Sequence, residues 1–322
     1  MGSYTQLTQD KRYQIYAFLK AGFSQTDIAI EIGVHKSTVS RELNRNRGQK
    51  GYRPKQAHRK ADERRAEAYK FVKMTSQIIP LIEILIRQDF SPEQVCGFLQ
   101  RKHRIRISHE SIYRHILKDK AQGGNLYLHL RHSNKKRKKR YGSYDRRGQI
   151  KGRVSIDERP AIVDAKKRLG DWEIDTIIGK NHKGVLLSIV ERKSKFTLIR
   201  KLPKKQAEVV AEAAVHLLQP YEGKVLTITA DNGKEFTHHE HIKELLKTDV
   251  YFAHPYHSWE RGLSENTNGL IRQYFPKKMS FENIQEQHVH MAMNRLNNRP
   301  RKTLEYKTPI EVFFQTITKQ AA

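Results

Sequence analysis

The sequence predicts a multidomain chain in which all-α N-terminal helix-turn-helix units precede an α/β domain built on a mixed five-stranded sheet. Three observations carry that prediction. The first is charge: the 322 residues carry a formal +28, with 33 Lys and Arg against 13 Asp and Glu in residues 1–150, but 29 against 21 in residues 151–322. Clustered cations neutralise phosphates and release their counterions, so nucleic acid is the expected partner and the N-terminal half its main reader. The second is helical periodicity of the apolar residues before residue 130. The third is a change of pattern after Leu169, where short runs rich in Ile, Val, Leu and Thr alternate with helical segments, the order that gives a sheet flanked by helices.

Composition excludes several classes. No stretch approaches the about 18 apolar residues of a membrane span. The start, MGSYTQL, has no basic region followed by an apolar run, and Gln6 stands where myristoylation needs Ser or Thr. A single cysteine, Cys96, rules out an intramolecular disulfide framework and a Cys-based zinc cluster. An intracellular, reducing compartment, the cytoplasm, is expected.

Residues 6–20 form a first helix with Thr8 as N-cap and Ile15, Phe18 and Leu19 inward. In SQTDIAIEIGVHKSTVSRELNRN, Ser24 caps a short helix with Ile28, Ala29 and Ile32 inside. Gly33 permits the turn, Val34 plugs it and Val39 anchors a second helix, the spacing of a helix-turn-helix. The outward positions, His35, Lys36, Ser37, Ser40, Arg41, Asn44 and Arg45, suit base edges or phosphates in a major groove. Residues 45–65 are basic and are expected to follow the phosphate backbone. Residues 66–88 read as helical. FSPEQVCGFLQ starts with Ser91 as N-cap and Pro92 at the first helical position, and ISHESIYRHIL with Ser108 as N-cap. The pair resembles a second helix-turn-helix, with His109, Tyr113 and Arg114 as its DNA-facing candidates and Cys96 as a core residue. RHSNKKRKKRYGSYDRRGQIKGR is a basic linker. The expected domains are 1–62 and 63–130 for the two helical units, 131–158 for the linker, 159–278 for the α/β core and 279–322 for a helical tail.

Within the core, DWEIDTIIG, GVLLSIVERKS and FTLIRKLP read as three consecutive strands. AEVVAEAAVHLL is a helix, KVLTITADNG a fourth strand, HEHIKELLK a helix, DVYFAHPY a fifth strand and ERGLSENTNGLIRQYFP a helix ended by Pro276. Asp175 lies inside the first apolar run and Asp231 at the end of the fourth. If strands one and four are neighbours, these carboxylates meet, and Glu265 arrives from the last helix. Three such oxygens suit hard divalent cations, Mg²⁺ or Mn²⁺, two of which would activate a water or a 3′-hydroxyl. Asp171, four residues before Asp175 and on the same strand face, is the main decoy. Asn268, Gly269 and Arg272 share a helix face with Glu265; Asn268 and Arg272 suit phosphates beside the metals, Gly269 would let a DNA strand approach closely, and Lys277 is a further DNA-binding candidate. Trp259 and Arg261 either contact DNA or pack. His238, His239 and His241 read as solvated histidines at a helix start.

RPAIVDAKKRLGDWEIDTIIGKNHKGVLLSIVERKSKFTLI, TADNGKEF, YFAHPYHSWERGLSENTNGLIRQYFPK and LNNRPRKTLEYKTP resemble the DDE transposases and retroviral integrases, whose cores have a ribonuclease-H-like fold. The likeness is closest to insertion-sequence family thirty of the bacterial transposases, which TQDKRYQIYAFLKAGFSQTDIAIEIGVHKSTVSRELNRN also matches. The resemblance implies Asp175, Asp231 and Glu265 as the catalytic and metal-binding triad, two Mg²⁺ or Mn²⁺ ions, and binding of terminal inverted repeats and target DNA. It further implies a dimer or higher homo-oligomer, cleavage and strand transfer, and intermediates with joined ends. The family pattern carries Gly where Ile174 and Glu305 stand here. A DNA-binding regulator without catalysis, or a nuclease without strand transfer, would share parts of this pattern.

Overall fold

A computed structural model describes residues 6–67, 74–131, 150–255 and 257–320, and it divides into two compact units, residues 1–72 and 73–322. Most of the basic linker, residues 132–149, lies outside the described residues, as do 68–73 of the segment expected to be helical from 66.

The first unit holds α1 (Gln9–Lys20), α2 (Gln25–Glu31), α3 (Lys36–Asn46) and α4 (Pro54–Glu67). Local chemistry sets its boundaries. The Thr8 hydroxyl accepts from the Lys11 amide, and Ser24 and Asp27 close a reciprocal capping box. Gly33 sits at φ +66°, a left-handed turn that glycine adopts without strain. Ile15, Ile28 and Val39 are fully buried together. Beneath them Arg12 forks onto Glu42, Nε–Oε1 2.8 Å and Nη2–Oε2 3.2 Å, and the Tyr52 hydroxyl donates to the same carboxylate at 3.1 Å. The basic stretch expected to follow the phosphate backbone runs from residue 45 to 65. Most of it is α4, which buries only Pro54 and Ala57 and is laced by His58–Asp62 and Arg59–Glu63 pairs one turn apart.

In the second unit, α5 (Ile78–Arg87), α6 (Pro92–His103) and α7 (His109–Ala121) enclose their own core of Ile82, Leu85, Ile86, Val95, Leu99, Ile112 and Ile116. Ser91 and Ser108 cap α6 and α7. Cys96 packs against this core, and burial pushes its thiol up to about 11, so it is an inert packing residue.

The α/β part comprises β1 (Val154–Ser155), α8 (Ile162–Ala165), β2 (Asp171–Ile178), β3 (Val185–Glu191), β4 (Thr197–Leu202), α9 (Ala207–Leu218), β5 (Thr227–Ala230), α10 (His239–Leu246), β6 (Asp249–Phe252), α11 (Gly262–Tyr274), α12 (Glu286–Asn298) and α13 (Pro309–Gln320). The sheet has six strands rather than five, in the order β1-β6-β5-β2-β3-β4. The extra strand is the two-residue β1, which pairs parallel with β6. β2, β3 and β4 form an antiparallel meander, while β5 runs parallel to β2 and β6 to β5. The expected first and fourth strands are therefore neighbours. Trp172 and Ile174 point from β2 into one core with Val210, Ala214 and Phe313, whereas Ile177 joins Ile271, Val289 and Leu296 on the opposite face. The C-terminal tail thus completes both cores.

Side chains tie the helical triplet α5–α7 to this tail. Arg101 forks onto Glu311 at 2.8 and 2.7 Å, Lys302 reaches Glu93 at 2.7 Å, and buried Asp89 accepts from Arg295, from Tyr274 and, at 3.0 Å, from His129. His239 is not the solvated residue its sequence context suggested. It is buried edge-on against Phe252, 4.9 Å between ring centres, with Nε2 3.3 Å from the Gly152 carbonyl.

Glu305 holds φ +54°. An L-residue there costs about 1–2 kcal/mol, partly offset in a Gly variant by the extra freedom of its unfolded chain. Glu305→Gly is expected to stabilise the second unit by about 0.5–1 kcal/mol, roughly 1–3 °C in Tm by calorimetry.

Candidate active site

The parallel register of β2 and β5, Asp171 against Thr227 and Glu173 against Thr229, places Asp175 opposite Asp231 when continued two residues past the second of these pairs. Alternation along β2 sends Asp171, Glu173 and Asp175 to the face covered by α11, and each acid does something different. Asp171 is buried and fully engaged: Arg168 grips both oxygens at 2.9 Å and the Thr227 hydroxyl donates at 2.8 Å. It is a structural acid. Glu173 pairs with Arg192 at 2.8 Å and accepts from the Ser264 amide and hydroxyl at 2.8 and 2.9 Å. A carboxylate on those first-turn donors also meets the positive end of the helix dipole, so Glu173 fixes where α11 begins. Glu265 is the next residue.

Asp175 is held at both oxygens. The Thr176 amide donates to Oδ1 at 2.8 Å and the Asn268 amide to Oδ2 at 2.7 Å. Asn268 is itself oriented by the Ser188 hydroxyl, which donates to its Oδ1 at 2.9 Å. Burial raises the Asp175 carboxyl to about 6; nearby Arg261 opposes the shift, while Asp231 and Glu235 add to it. Asp231 accepts from the Gly233 amide at 2.9 Å. Between the two aspartates lies the Arg261 guanidinium, Nη2 3.2 Å from Asp231 Oδ2 and Nη1 3.7 Å from Asp175 Oδ1, with Nη1 also donating to the Ile174 carbonyl at 3.3 Å. The carboxylate pair therefore already holds a cation. Its hard, negatively charged oxygens fit a divalent metal equally well.

Glu265 lies in the first turn of α11 and is exposed, making no hydrogen bond or ion pair among the described residues. Its oxygens do not close with those of Asp175 and Asp231 into a single ligand group. Among the described residues, the His, Cys, Asp and Glu side chains that do converge are His254, His257 and Glu260. Arg272 is turned toward protein, donating to the Ile178 carbonyl at 2.8 Å and lying 5.4 Å over the Phe281 ring. Gly269 faces the Arg131 guanidinium, which a Cβ would approach to 2.8 Å. Lys277 is exposed just beyond α11.

Sequence reasoning missed Glu235. It is buried beside Asp175, accepts from the Thr176 hydroxyl at 2.8 Å and pairs with Lys205 at 2.7 Å. Its signal was an acid four residues after Asp231, inside the turn that leaves β5.

On the first unit, His35, Lys36, Arg41, Asn44 and Arg45 are exposed along α3, and Ser37 and Ser40 are half-buried. His35 also caps that helix, its Nδ1 accepting from the Ser37 amide at 3.2 Å. On α7, His109, Tyr113 and Arg114 are exposed, the first two rings meeting edge-on at 6.4 Å.

The description "Helix-turn-helix domain" matches residues 3–46 and "Integrase core domain" matches residues 165–258. The transposase for insertion sequence element IS4351 of Bacteroides fragilis is 46% identical over 317 residues, covering 98% of this chain and 97% of that one. Transposase InsI for insertion sequence element IS30A of Escherichia coli K12 is 34% identical over 321 residues, 95% of this chain and 82% of that one. The chain belongs to the IS30 family of insertion-sequence transposases. This IS30-family transposase is thus a DNA-binding enzyme of the DDE class with an integrase-type core, and such cores depend on divalent metal. The catalytic core domain of BIV integrase aligns with a TM-score of 0.39 and 22% identity, covering 48% of this chain and all of that one. No described helix is long and apolar enough to cross a membrane.

Proposed function

We propose that this transposase binds the terminal inverted repeats of its element through α3 and α7, cleaves the element ends at Asp175, Asp231 and Glu265, and joins the freed 3′-hydroxyls to target DNA. The observation that carries this reading is the pair of aspartates from adjacent parallel strands sharing one cation, with Glu265 one helical turn after the residue that supplies it. Mg²⁺ or Mn²⁺, two ions per site, on these carboxylates would acidify a water or 3′-hydroxyl and neutralise the phosphate under attack. The chain's own residues do the positioning. Asn268, with Ser188 behind it, and the Thr176 amide set the Asp175 carboxylate; the Gly233 amide sets Asp231; Glu173 anchors the helix that carries Glu265. Both ends must be held at once, so the working form is a homodimer or larger, acting on cytoplasmic DNA.

The test is a duplex bearing one element end, incubated with the full-length protein and Mg²⁺ and then with a target duplex. The proposal expects a nick at the end, joined product, and loss of both in EDTA. Binding without any metal-dependent nick would leave a DNA-binding regulator; a nick without joined product would leave a nuclease.

Arg261 makes metal binding measurable on its own. Its guanidinium is an internal competitor for the aspartate oxygens, so Arg261→Gln is expected to bind Mn²⁺ on the order of tenfold more tightly at pH 8 by calorimetry. The wild-type protein should lose Mn²⁺ as pH falls through about 6, because the raised Asp175 carboxyl takes up a proton there. In the variant the decline in affinity should begin at higher pH, since the cation that opposes the rise is gone.

A further inference from the structure

The chain has two tryptophans with opposite surroundings. Trp172 is 0% exposed in the core; Trp259 is 71% exposed, two residues before Arg261. Exposed apolar side chains are ordinary on a protein surface, but an indole offers a large, rigid, flat face. Trp259 is nevertheless not loose. It stacks on His257 with 4.4 Å between ring centres and 26° between planes. His257 is braced in turn, its Nδ1 3.2 Å from Glu260 Oε1. Glu260 also takes the His254 amide at 2.8 Å and His254 Nδ1 at 2.9 Å, and His254 Nε2 reaches Asp157 at 2.9 Å. The convergence of His254, His257 and Glu260 is therefore a chain of hydrogen bonds with both ring nitrogens of His254 already engaged. Its effect is to fix one face of the indole and leave the other open.

That open ring borders a cleft of about 500 Å³ whose other walls include Arg159, Lys166, Arg192 and Leu263. The acids around it are spoken for: Asp164 by Arg159 and Arg192, Glu173 by Arg192 and Ser264, Asp157 and Glu260 by His254. Lys166 is exposed and has no ion pair among the described residues, so the uncommitted charge at the cleft is positive. A flat apolar surface beside an uncommitted cation fits a nucleobase with its phosphate, since every base has a π-face and stacking is indifferent to sequence. Two residues along the same helical turn, Arg261 holds the aspartate pair, and Glu173 of the strand that carries Asp175 lines the cleft itself.

We infer that Trp259 is the stacking platform for one unpaired nucleobase of the bound DNA end. This rests on the strand-cleaving reading of the adjacent acids, and the test separates the two. The full-length protein is titrated in EDTA, with tryptophan emission as the readout, against three probes: an element-end duplex with a three-nucleotide fork, the same fork with abasic sugars, and the fully paired duplex. Because Trp172 is buried, quenching reports on Trp259. The expected result is quenching by the fork with bases only, none in Trp259→Phe, and about tenfold weaker binding of that fork by Trp259→Ala, with the paired duplex unaffected. Equal quenching by the abasic fork, or undiminished fork binding by Trp259→Ala, would overturn the inference. No metal or catalysis enters this titration. Quenching without metal-dependent nicking would cost the cleavage reading alone, and nicking without quenching the platform alone.

Discussion

Asp175→Asn, Asp231→Asn and Glu265→Gln are each expected to reduce end cleavage and strand transfer in Mg²⁺ by at least about a thousandfold while leaving end binding intact. The magnitude follows from the chemistry assigned to them. A metal-activated nucleophile and a neutralised phosphate are together worth several kcal/mol of barrier, and each 1.36 kcal/mol is a factor of ten. The amide replacements keep shape and hydrogen-bonding capacity but remove the charge that holds a divalent ion. Asp175→Asn also frees Arg261 and Asn268 from their partner, so folding must be checked separately by calorimetry; removing a buried acid whose carboxyl is raised to about 6 should not destabilise the fold near neutral pH. The control is Asp171→Asn. It breaks the fork with Arg168 and should lower Tm rather than catalysis at temperatures where the protein stays folded. A thousandfold loss in a folded Asp171→Asn, with Asp175→Asn active, would exchange the roles of the two acids. Glu265→Gln is the most informative of the three. Glu265 stands exposed at the start of α11, so its effect tests whether metal and DNA draw that turn toward the aspartates.

What could be read from the sequence was local. Thr8, Ser24, Ser91 and Ser108 are helix starts because a short polar side chain can reach an amide two or three residues ahead, and that chemistry needs no tertiary contact. Asp175 and Asp231 stood out because charges inside apolar strands are expensive without a purpose. Their meeting required strands one and four to be neighbours, which the topology provides. The illegible features depend on partners far along the chain or on length. β1 is too short to show a period and exists because β6 offers an edge. α4 has almost no apolar stripe, so its i, i+4 charge pairs and Pro54 were the remaining signs. Arg261 between two acids, Asn268 on Asp175 and Glu173 on Ser264 each join residues that are 30 to 93 positions apart. Spacing on α11 did put Asn268 beside Glu265. It could not show that the amide is committed to a carboxylate rather than turned toward a phosphate.

The first unit offers the second large effect, in stability rather than rate. Glu42→Ala leaves the Arg12 guanidinium buried without its carboxylate and removes the acceptor of the Tyr52 hydroxyl. Breaking a buried ion pair by deleting one partner costs about 3–5 kcal/mol. A unit of this size has only about 0.1 kcal/mol of stability per residue, roughly 6 kcal/mol in all, so most of its margin goes. The full-length variant should therefore become sensitive to limited proteolysis within residues 6–67, while the second unit retains its own melting transition. End binding should fall with it, since α3 is positioned by Val39 and Glu42 on its inner face. Arg12→Met with Glu42→Leu decides the cause. Two apolar side chains of similar volume restore packing and leave no orphan charge, so the double variant should recover most of the lost stability and the protected digestion pattern. If it digests as readily as Glu42→Ala, the pair is needed for its geometry, and the cost lies in the lost fork between α1 and α3 rather than in the stranded charge.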